Sequence, residues 1–261
     1  MLVARITLAK TDANCLDCPI RHRAVCASCT SSELEELNRI RQYRTWKAGE
    51  TIAWAGEKMS FVGSVVTGVA TLSSTLVDGR RQMVGLLLPS DFLGRPGRGE
   101  VSYDVVAATE TTFCLFQREQ FEHFLSKSPS IAKELLEKTL DDLDSAREWM
   151  LLLGRKTARE KIASLLVMMA RRDGALHRNE PGDGLVFPLH ITREAMADYL
   201  GLTVETVSRQ ISAMKRDNVI QLMDTRTIRV PDFNRLVEQS AASSGFEDAH
   251  HALPETTAKR A

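Results

Sequence analysis

Residues 191–220, ITREAMADYLGLTVETVSRQISAMKRDNVI, constrain the fold more than any other stretch, because nearly every position in them has a local structural role. Thr192 is a natural helix N-cap, with Ile191 and Met196 spaced to form a hydrophobic staple across the first turn. The helix so begun runs to Tyr199 or Leu200. Gly201 supplies the backbone freedom of a tight turn, and Thr203 caps a second helix. Along that helix Val204, Val207, Ile211 and Met214 line one face, while Glu205, Ser208, Arg209 and Ser212 share another. Arginine can bind a guanine edge through two hydrogen bonds, glutamate can accept from the cytosine amino group, and serine suits several edges. These residues lie near the N-terminal half of the helix, where a recognition helix meets the major groove. Short strands at Leu185–Leu189 and at Val219–Asp224 with Thr227–Val230 flank the pair as a β-wing. The stretch predicts a winged helix-turn-helix that binds double-stranded DNA. Arg193 is its candidate phosphate contact, and Thr203 stands at the start of the reading face.

Upstream, Ser31–Ile40 reads as a short helix capped by Ser31 or Ser32, with Glu35 and Glu36 in its first turn. From Tyr43 to Phe116 the pattern becomes short alternating runs broken by glycine: Thr51–Trp54, Phe61–Val66, Val69–Leu76, Met83–Leu88, Val105–Ala108 and Thr112–Phe116. That spacing predicts a small β-barrel or roll, and Asp78-Gly79 is its clearest hairpin turn. After Arg118 no glycine occurs until Gly154. Leu136, Leu140, Leu143, Ala146, Met150 and Leu153 step by three or four, a stripe along one side of a long helix. A small barrel cannot bury such a stripe alone, so it reads as a dimer seam, the alternative being a helix docked on its own domain. Residues 157–180 form another helical stretch ending in the polar loop HRNEPGDG. Beyond Arg235 the composition turns to Ala, Ser, His, Thr and Glu, which predicts a disordered tail.

The 261 residues suggest two domains, or one with a large extension, and a hydrophobic fraction of 43% suffices for a core. Lysine and arginine balance aspartate and glutamate at 34 each, yet residues 155–237 carry a net charge of +4, which permits nucleic acid without requiring it. No run approaches the roughly 18 consecutive apolar residues of a membrane span, and the N-terminus lacks the apolar stretch of a signal peptide, so a soluble cytoplasmic protein is expected. There is no G-x-S-x-G, H-E-x-x-H or C-x-x-C-H, and an enzyme is not expected.

Four of the five cysteines, Cys15, Cys18, Cys26 and Cys29, fall within fifteen residues as C-x2-C-x7-C-x2-C; the fifth is Cys114. Without a secretion signal, and with an odd count, a disulfide framework is disfavoured. Thiolates crowded this closely usually hold a metal. Zinc would accept the four N-terminal thiolates as a tetrahedral set, although a gap of seven is short for a zinc ribbon. An iron–sulfur cluster also takes four thiolates, one of which can come from far along the chain. Spacing leaves both open.

GLTVETVSRQISAMKRDNVI resembles the DNA-reading segment of the CRP/FNR superfamily of bacterial transcription regulators, and Glu205, Ser208 and Arg209 form an E-x-x-S-R set similar to the FNR branch. The resemblance covers most of the chain. It implies an α+β architecture: a cysteine-rich segment over residues 1–30, a β-roll sensor domain like those that bind cyclic nucleotides over 31–129, a dimerisation helix over 130–156, a winged helix-turn-helix over 157–237 and a tail over 238–261. It also implies a homodimer on a palindromic TTGAT-like site, and contact with RNA polymerase. FNR-type sensors hold an oxygen-labile [4Fe–4S] cluster with three N-terminal cysteines and one from the roll, which implies Cys15, Cys18, Cys26 and Cys114 here, with Cys29 as alternate. The gap before Cys26 is wider than that pattern. In the resemblance the cluster promotes dimerisation and DNA binding at low oxygen, and its loss in oxygen switches both off. The alternative is a roll that senses another small ligand, with zinc on the cysteines. Rolls of the cyclic-AMP receptor branch clamp phosphate with a Gly-Glu pair followed by Arg-Ser or Arg-Thr. Here Gly99-Glu100 is followed by Ser102-Tyr103-Asp104, and the acidic Asp104 argues against a bound nucleotide, although Arg95 and Arg98 could substitute for the missing arginine.

Overall fold

A computed structural model describes residues 14–176 and 184–241 and divides the chain into two units, Met1–Leu143 and Asp144–Ala261. In the first unit a 3-10 turn at Cys15–Asp17 and helix α1 (Ser31–Ile40) precede eight strands. These are β1 (Arg41–Trp46), β2 (Thr51–Ala53), β3 (Phe61–Thr67), β4 (Ala70–Thr75), β5 (Arg81–Leu87), β6 (Phe92–Leu93), β7 (Asp104–Ala107) and β8 (Thr111–Gln117). They form two antiparallel sheets, ordered β1-β8-β3-β6 and β2-β7-β4-β5, which face each other as the expected roll. Trp46, Val65, Phe113 and Leu115 belong to the core between them. Two strands escaped the sequence reading: β1, whose RQYRTW shows no clean alternation, and the two-residue β6.

Strand β8 is the architectural pivot. Side chains alternate across a strand, and here both faces are buried. Phe113 and Leu115 point between the sheets, while Cys114 and Phe116 enter a second core with Leu34 and Leu37 of α1. Close approach of β3 makes this possible: a Cβ on Gly63 would lie 2.2 Å from the Cys114 carbonyl oxygen, so only glycine fits. Helix α2 (Arg118–Lys127), not assigned from the sequence, adds Phe121 and Phe124 to the second core. It ends where Pro129 begins α3 (Pro129–Arg155), a position proline favours because its missing N–H is unneeded there. Ile131 of α3 is fully buried in the same core.

Helix α1 has the expected bounds, but its cap is one residue earlier than expected. Thr30 accepts from the Glu33 amide at 3.3 Å, and the Glu33 carboxylate accepts from the Thr30 amide at 2.8 Å, so the reciprocal pairing excludes Ser31 and Ser32 as caps.

The second unit holds the end of α3, then α4 (Ala158–Leu176), β9 (Leu185–Pro188), α5 (Arg193–Leu200), α6 (Val204–Arg216), β10 (Gln221–Leu222), β11 (Thr227–Val230) and α7 (Phe233–Gln239). Thr192 caps α5 by accepting from Ala195 at 3.1 Å, and both staple residues, Ile191 and Met196, are buried. Gly201 adopts the left-handed φ of +61° that closes α5, and Thr203 caps α6 by accepting from Thr206 at 3.1 Å. The three short strands pair as β10-β11-β9, the expected wing. Trp149 of α3 stacks on Tyr199 of α5, with ring centroids 4.0 Å apart. Helix α7 was not expected: Leu236 is fully buried, so folded chain continues past Arg235 to Ala241, and the rest of the expected tail lies outside the described residues. Most of the loop HRNEPGDG lies outside them too. Among the described residues no helix is long and apolar enough to cross a membrane.

Because Thr30 carries the whole capping box, Thr30→Ala should cost about 1 kcal/mol in urea unfolding, while Ser31→Ala should cost a few tenths at most. Equal losses would return the cap to the serines.

Candidate functional site

The cysteine segment is built from turns. Amide-to-carbonyl hydrogen bonds run from Arg21 to Cys18, from Ala24 to Ile20, from Ala27 to Ala24 and from Cys29 to Cys26, all between 2.8 and 3.2 Å. Ile20, Ala24 and Val25 are buried, which fastens this coil to the roll. The seven-residue gap is thereby folded up, and Cys26 returns to the neighbourhood of Cys15 and Cys18. One cavity is lined by Cys15, Cys18, Cys26 and Cys114, with Tyr43, Ser64 and apolar side chains between them. Cys29 does not line it, although it is buried in the surrounding core.

Burial raises Cys15, Cys26, Cys29 and Cys114, and neighbouring thiols push each of them further. Burial pushes the Cys114 thiol up, and Cys15, Cys18 and Cys26 push it further. Burial likewise raises Cys26 to about 11, and Cys18 and Cys15 push it further. Cys29 is raised to about 12 by burial first, then by Cys26 and Glu33. Burial also raises Cys15, while Arg41, which hydrogen-bonds its sulfur, and Arg21 pull it down. The Cys15 amide is held at 3.3 Å by Asn38, whose carboxamide oxygen also accepts from Arg41 at 2.7 Å. The sequence reading missed Asn38, Arg41, Tyr43 and Ser64, because only strand register and helix packing bring them here.

Among the described residues no three metal-ligating side chains are drawn as close together as a bound ion would draw them. The donor set nevertheless fits a soft metal centre. Four sulfurs share one apolar cavity, as zinc or an iron–sulfur cluster requires, and Arg21 and Arg41 face the negative charge that deprotonated thiols would carry.

Helix α3 meets this site through its first turns. Ile131 and Leu135 pack into the cysteine core, the Lys138 ammonium donates to the Arg23 carbonyl, and Ser28 donates to the Glu134 carboxylate. The other face of α3 is exposed among the described residues: Leu136, Leu140, Leu143 and Met150 are 59%, 51%, 46% and 74% exposed, and Ala146 is exposed with them. Leu153 differs, being half-buried beside Gly201.

On α6 the structure separates two faces. Val207, Ile211 and Met214 are buried, whereas Glu205, Ser208, Arg209 and Ser212 are exposed. Val204, expected on the apolar face, is 44% exposed, since it opens the helix before the face turns inward. The Thr203 hydroxyl is exposed but already engaged as the cap. Arg193 is half-buried, its guanidinium 3.8 Å from the Met196 sulfur.

Around Gly97–Gly99, where the sequence carries its Gly-Glu pair, polar groups are engaged with neighbouring residues of the first unit. Arg118 donates to the Gly99 carbonyl at 3.1 Å, and a Cβ on Gly99 would lie 2.5 Å from its guanidinium. The Gly97 amide donates to Glu122 at 2.8 Å, and Asp104 accepts from the Ala55 amide at 3.0 Å. The backbones of Arg95 and Arg98 pair as an isolated antiparallel bridge in the same loop.

A β-roll followed by a long helix and a winged helix-turn-helix defines a DNA-binding transcription regulator. Residues 160–239 match the Crp-like helix-turn-helix domain family, and residues 43–128 match the cyclic nucleotide-binding domain family. The chain is 62% identical over 230 residues to the transcriptional activator protein FnrL of Cereibacter sphaeroides, covering 88% of this chain and 93% of that protein. It is 36% identical over 209 residues to the nitrogen fixation regulation protein FixK of Bradyrhizobium diazoefficiens, covering 80% and 86%. The structure of FixK2 from Bradyrhizobium japonicum matches with a TM-score of 0.71 at 31% identity, covering 78% of this chain and all (100%) of that one. The chain belongs to the CRP/FNR superfamily of transcription regulators, and it is a regulator rather than an enzyme.

Arg209 is exposed in the N-terminal half of α6, where a base-reading side chain is expected on a recognition helix. Arg209→Ala should weaken binding to the preferred site by about 1–3 kcal/mol and relax discrimination at one position in a binding-site selection experiment. A uniform loss across all sequences, with a smaller salt slope, would make it a phosphate contact instead.

Proposed function

We propose that this protein is an oxygen-responsive transcription activator in the cytoplasm, binding a palindromic TTGAT-like site as a homodimer and contacting RNA polymerase there. In this reading Cys15, Cys18, Cys26 and Cys114 hold a [4Fe–4S] cluster. The observation that carries it is a shared core: Cys15, Cys26 and Cys114 of the cavity pack together with Ile131 and Leu135 of α3, while the opposite face of the same helix offers leucines exposed among the described residues. The name of the FnrL relative, a transcriptional activator protein, supports activation of transcription.

A cluster held by these cysteines would supply an oxygen-labile bridge between the N-terminal coil and strand β8. The protein's own residues do the rest. Asn38 and Arg41 fix Cys15, the Cys18–Cys26 turns seat Ile20 and Val25, and Lys138 with Glu134 tie the coil to α3. A seated coil holds Ile131 and Leu135 in place and presents the leucine stripe. Each leucine buried against a partner contributes about 1.5–3 kcal/mol, so a small change in the pose of α3 is enough to shift a marginal monomer–dimer balance. Dimerisation then sets two α6 helices about one DNA turn apart.

Protein purified without oxygen should be brown and carry about four irons and four sulfides per chain, bleaching in air as DNA binding falls. Colourless protein with one zinc would overturn the cluster and leave the DNA reading intact. Cys114→Ala should abolish the colour and the oxygen-sensitive DNA binding, whereas Cys29→Ala should retain both. Loss in Cys29→Ala with retention in Cys26→Ala would reassign the third N-terminal ligand. Separately, Leu143→Glu should yield monomers by light scattering, and an undisturbed dimer would move the seam off this stripe.

A further inference from the structure

Three neighbouring strands each place one side chain on the same rung. Tyr43 of β1 and Ser64 of β3 stand directly opposite Cys114 of β8, and all three line the cysteine cavity. Directly opposed residues share a face of the sheet, so two hydroxyl-bearing side chains flank the Cys114 thiol. Their circumstances differ. The Tyr43 hydroxyl is engaged with the Cys18 sulfur. Ser64 is only 3% exposed, and its hydroxyl has no hydrogen-bond partner among the described residues. A hydroxyl taken from water and left unpaired is unfavourable, and alanine would occupy this strand position without that penalty. The partner that would satisfy it must therefore lie in the cavity, and the groups gathered there are sulfurs.

We infer that Ser64 is a positioning residue for the metal centre: its hydroxyl donates a hydrogen bond to sulfur on the Cys114 side of a cluster held by Cys15, Cys18, Cys26 and Cys114. The inference rests on the iron–sulfur reading above and adds a function to it. Hydrogen bonds to cluster sulfurs draw electron density off the metal and favour the more reduced state, so Ser64 raises the reduction potential and makes the centre harder to oxidise. On this view the roll contributes a tuning group as well as a ligand, and both come from the same rung.

The test uses the full chain, wild type and Ser64→Ala, with Ser64→Thr and Ser64→Val as a pair of equal shape that differs in the hydroxyl. Each is melted metal-free under reductant, then reconstituted anaerobically with iron and sulfide. We expect Ser64→Ala to melt metal-free at or above the wild-type temperature and to take up the same iron and sulfide. Its midpoint potential should be lower, and its colour should bleach severalfold faster in air. Ser64→Thr should track wild type in potential and bleaching, and Ser64→Val should track Ser64→Ala. A loaded Ser64→Ala with wild-type potential and air lifetime would overturn the inference, as would a metal-free form that is destabilised while the loaded form is unchanged. If wild type itself binds no iron and sulfide, the underlying iron–sulfur reading fails, an outcome distinct from either of those.

Discussion

Strand β8 sends Phe113 and Leu115 into the space between two sheets and turns Cys114 and Phe116 the other way, and neither face is left to water. The rest of the first unit is arranged around that double burial. An outward face that is apolar must be covered, and the covering comes from α1, α2, the cysteine coil and the first turns of α3. The cysteine chemistry is thus attached to the roll by ordinary hydrophobic burial, which is strong and non-directional. Directional contacts refine its placement: Asn38 and Arg41 at Cys15, Lys138 and Glu134 at the coil.

Helix α3 is the element on which two demands meet. One face belongs to the cysteine core through Ile131 and Leu135, and the other carries leucines about half exposed among the described residues. A helix with two apolar faces is buried on both sides or waits for a partner. In the proposed function the sensor and the association surface are two faces of the same helical turns, separated by less than a helix diameter, so coupling between them needs no long relay of intervening side chains.

How much of this could be read from the sequence depended on whether the signal was local. The helix-turn-helix was legible almost residue by residue, because caps, a turn glycine and a hydrophobic staple all act within five positions of one another. Helix α1 was legible in its bounds, while its cap was assigned to the serines instead of Thr30, since three hydroxyl residues stand in a row and only the Glu33 pairing distinguishes them. Strand β1 was not legible: RQYRTW has polar residues on both faces, one of which is covered by protein from elsewhere. Helix α7 was hidden by a tail-like composition in which only Leu236 carries the packing. The cysteines announced a thiol-rich site, but Tyr43 and Ser64 reach it through strand register with Cys114, which stands 71 and 50 positions further along the chain. Register is long-range information.

The coil between Cys18 and Cys26 has a wider bearing. Its length is taken up by successive turns, and the entropy of closing a loop grows only slowly with the number of residues in it. Relatives could therefore carry shorter or longer inserts between these cysteines at little thermodynamic expense, provided that residues such as Ile20 and Val25 still bury. Cysteine spacing is then a poor fingerprint for sites of this kind. A better one is the place of the distant cysteine: on the outward side of a strand whose inward side is already aromatic, with hydroxyl-bearing residues beside it on the neighbouring strands.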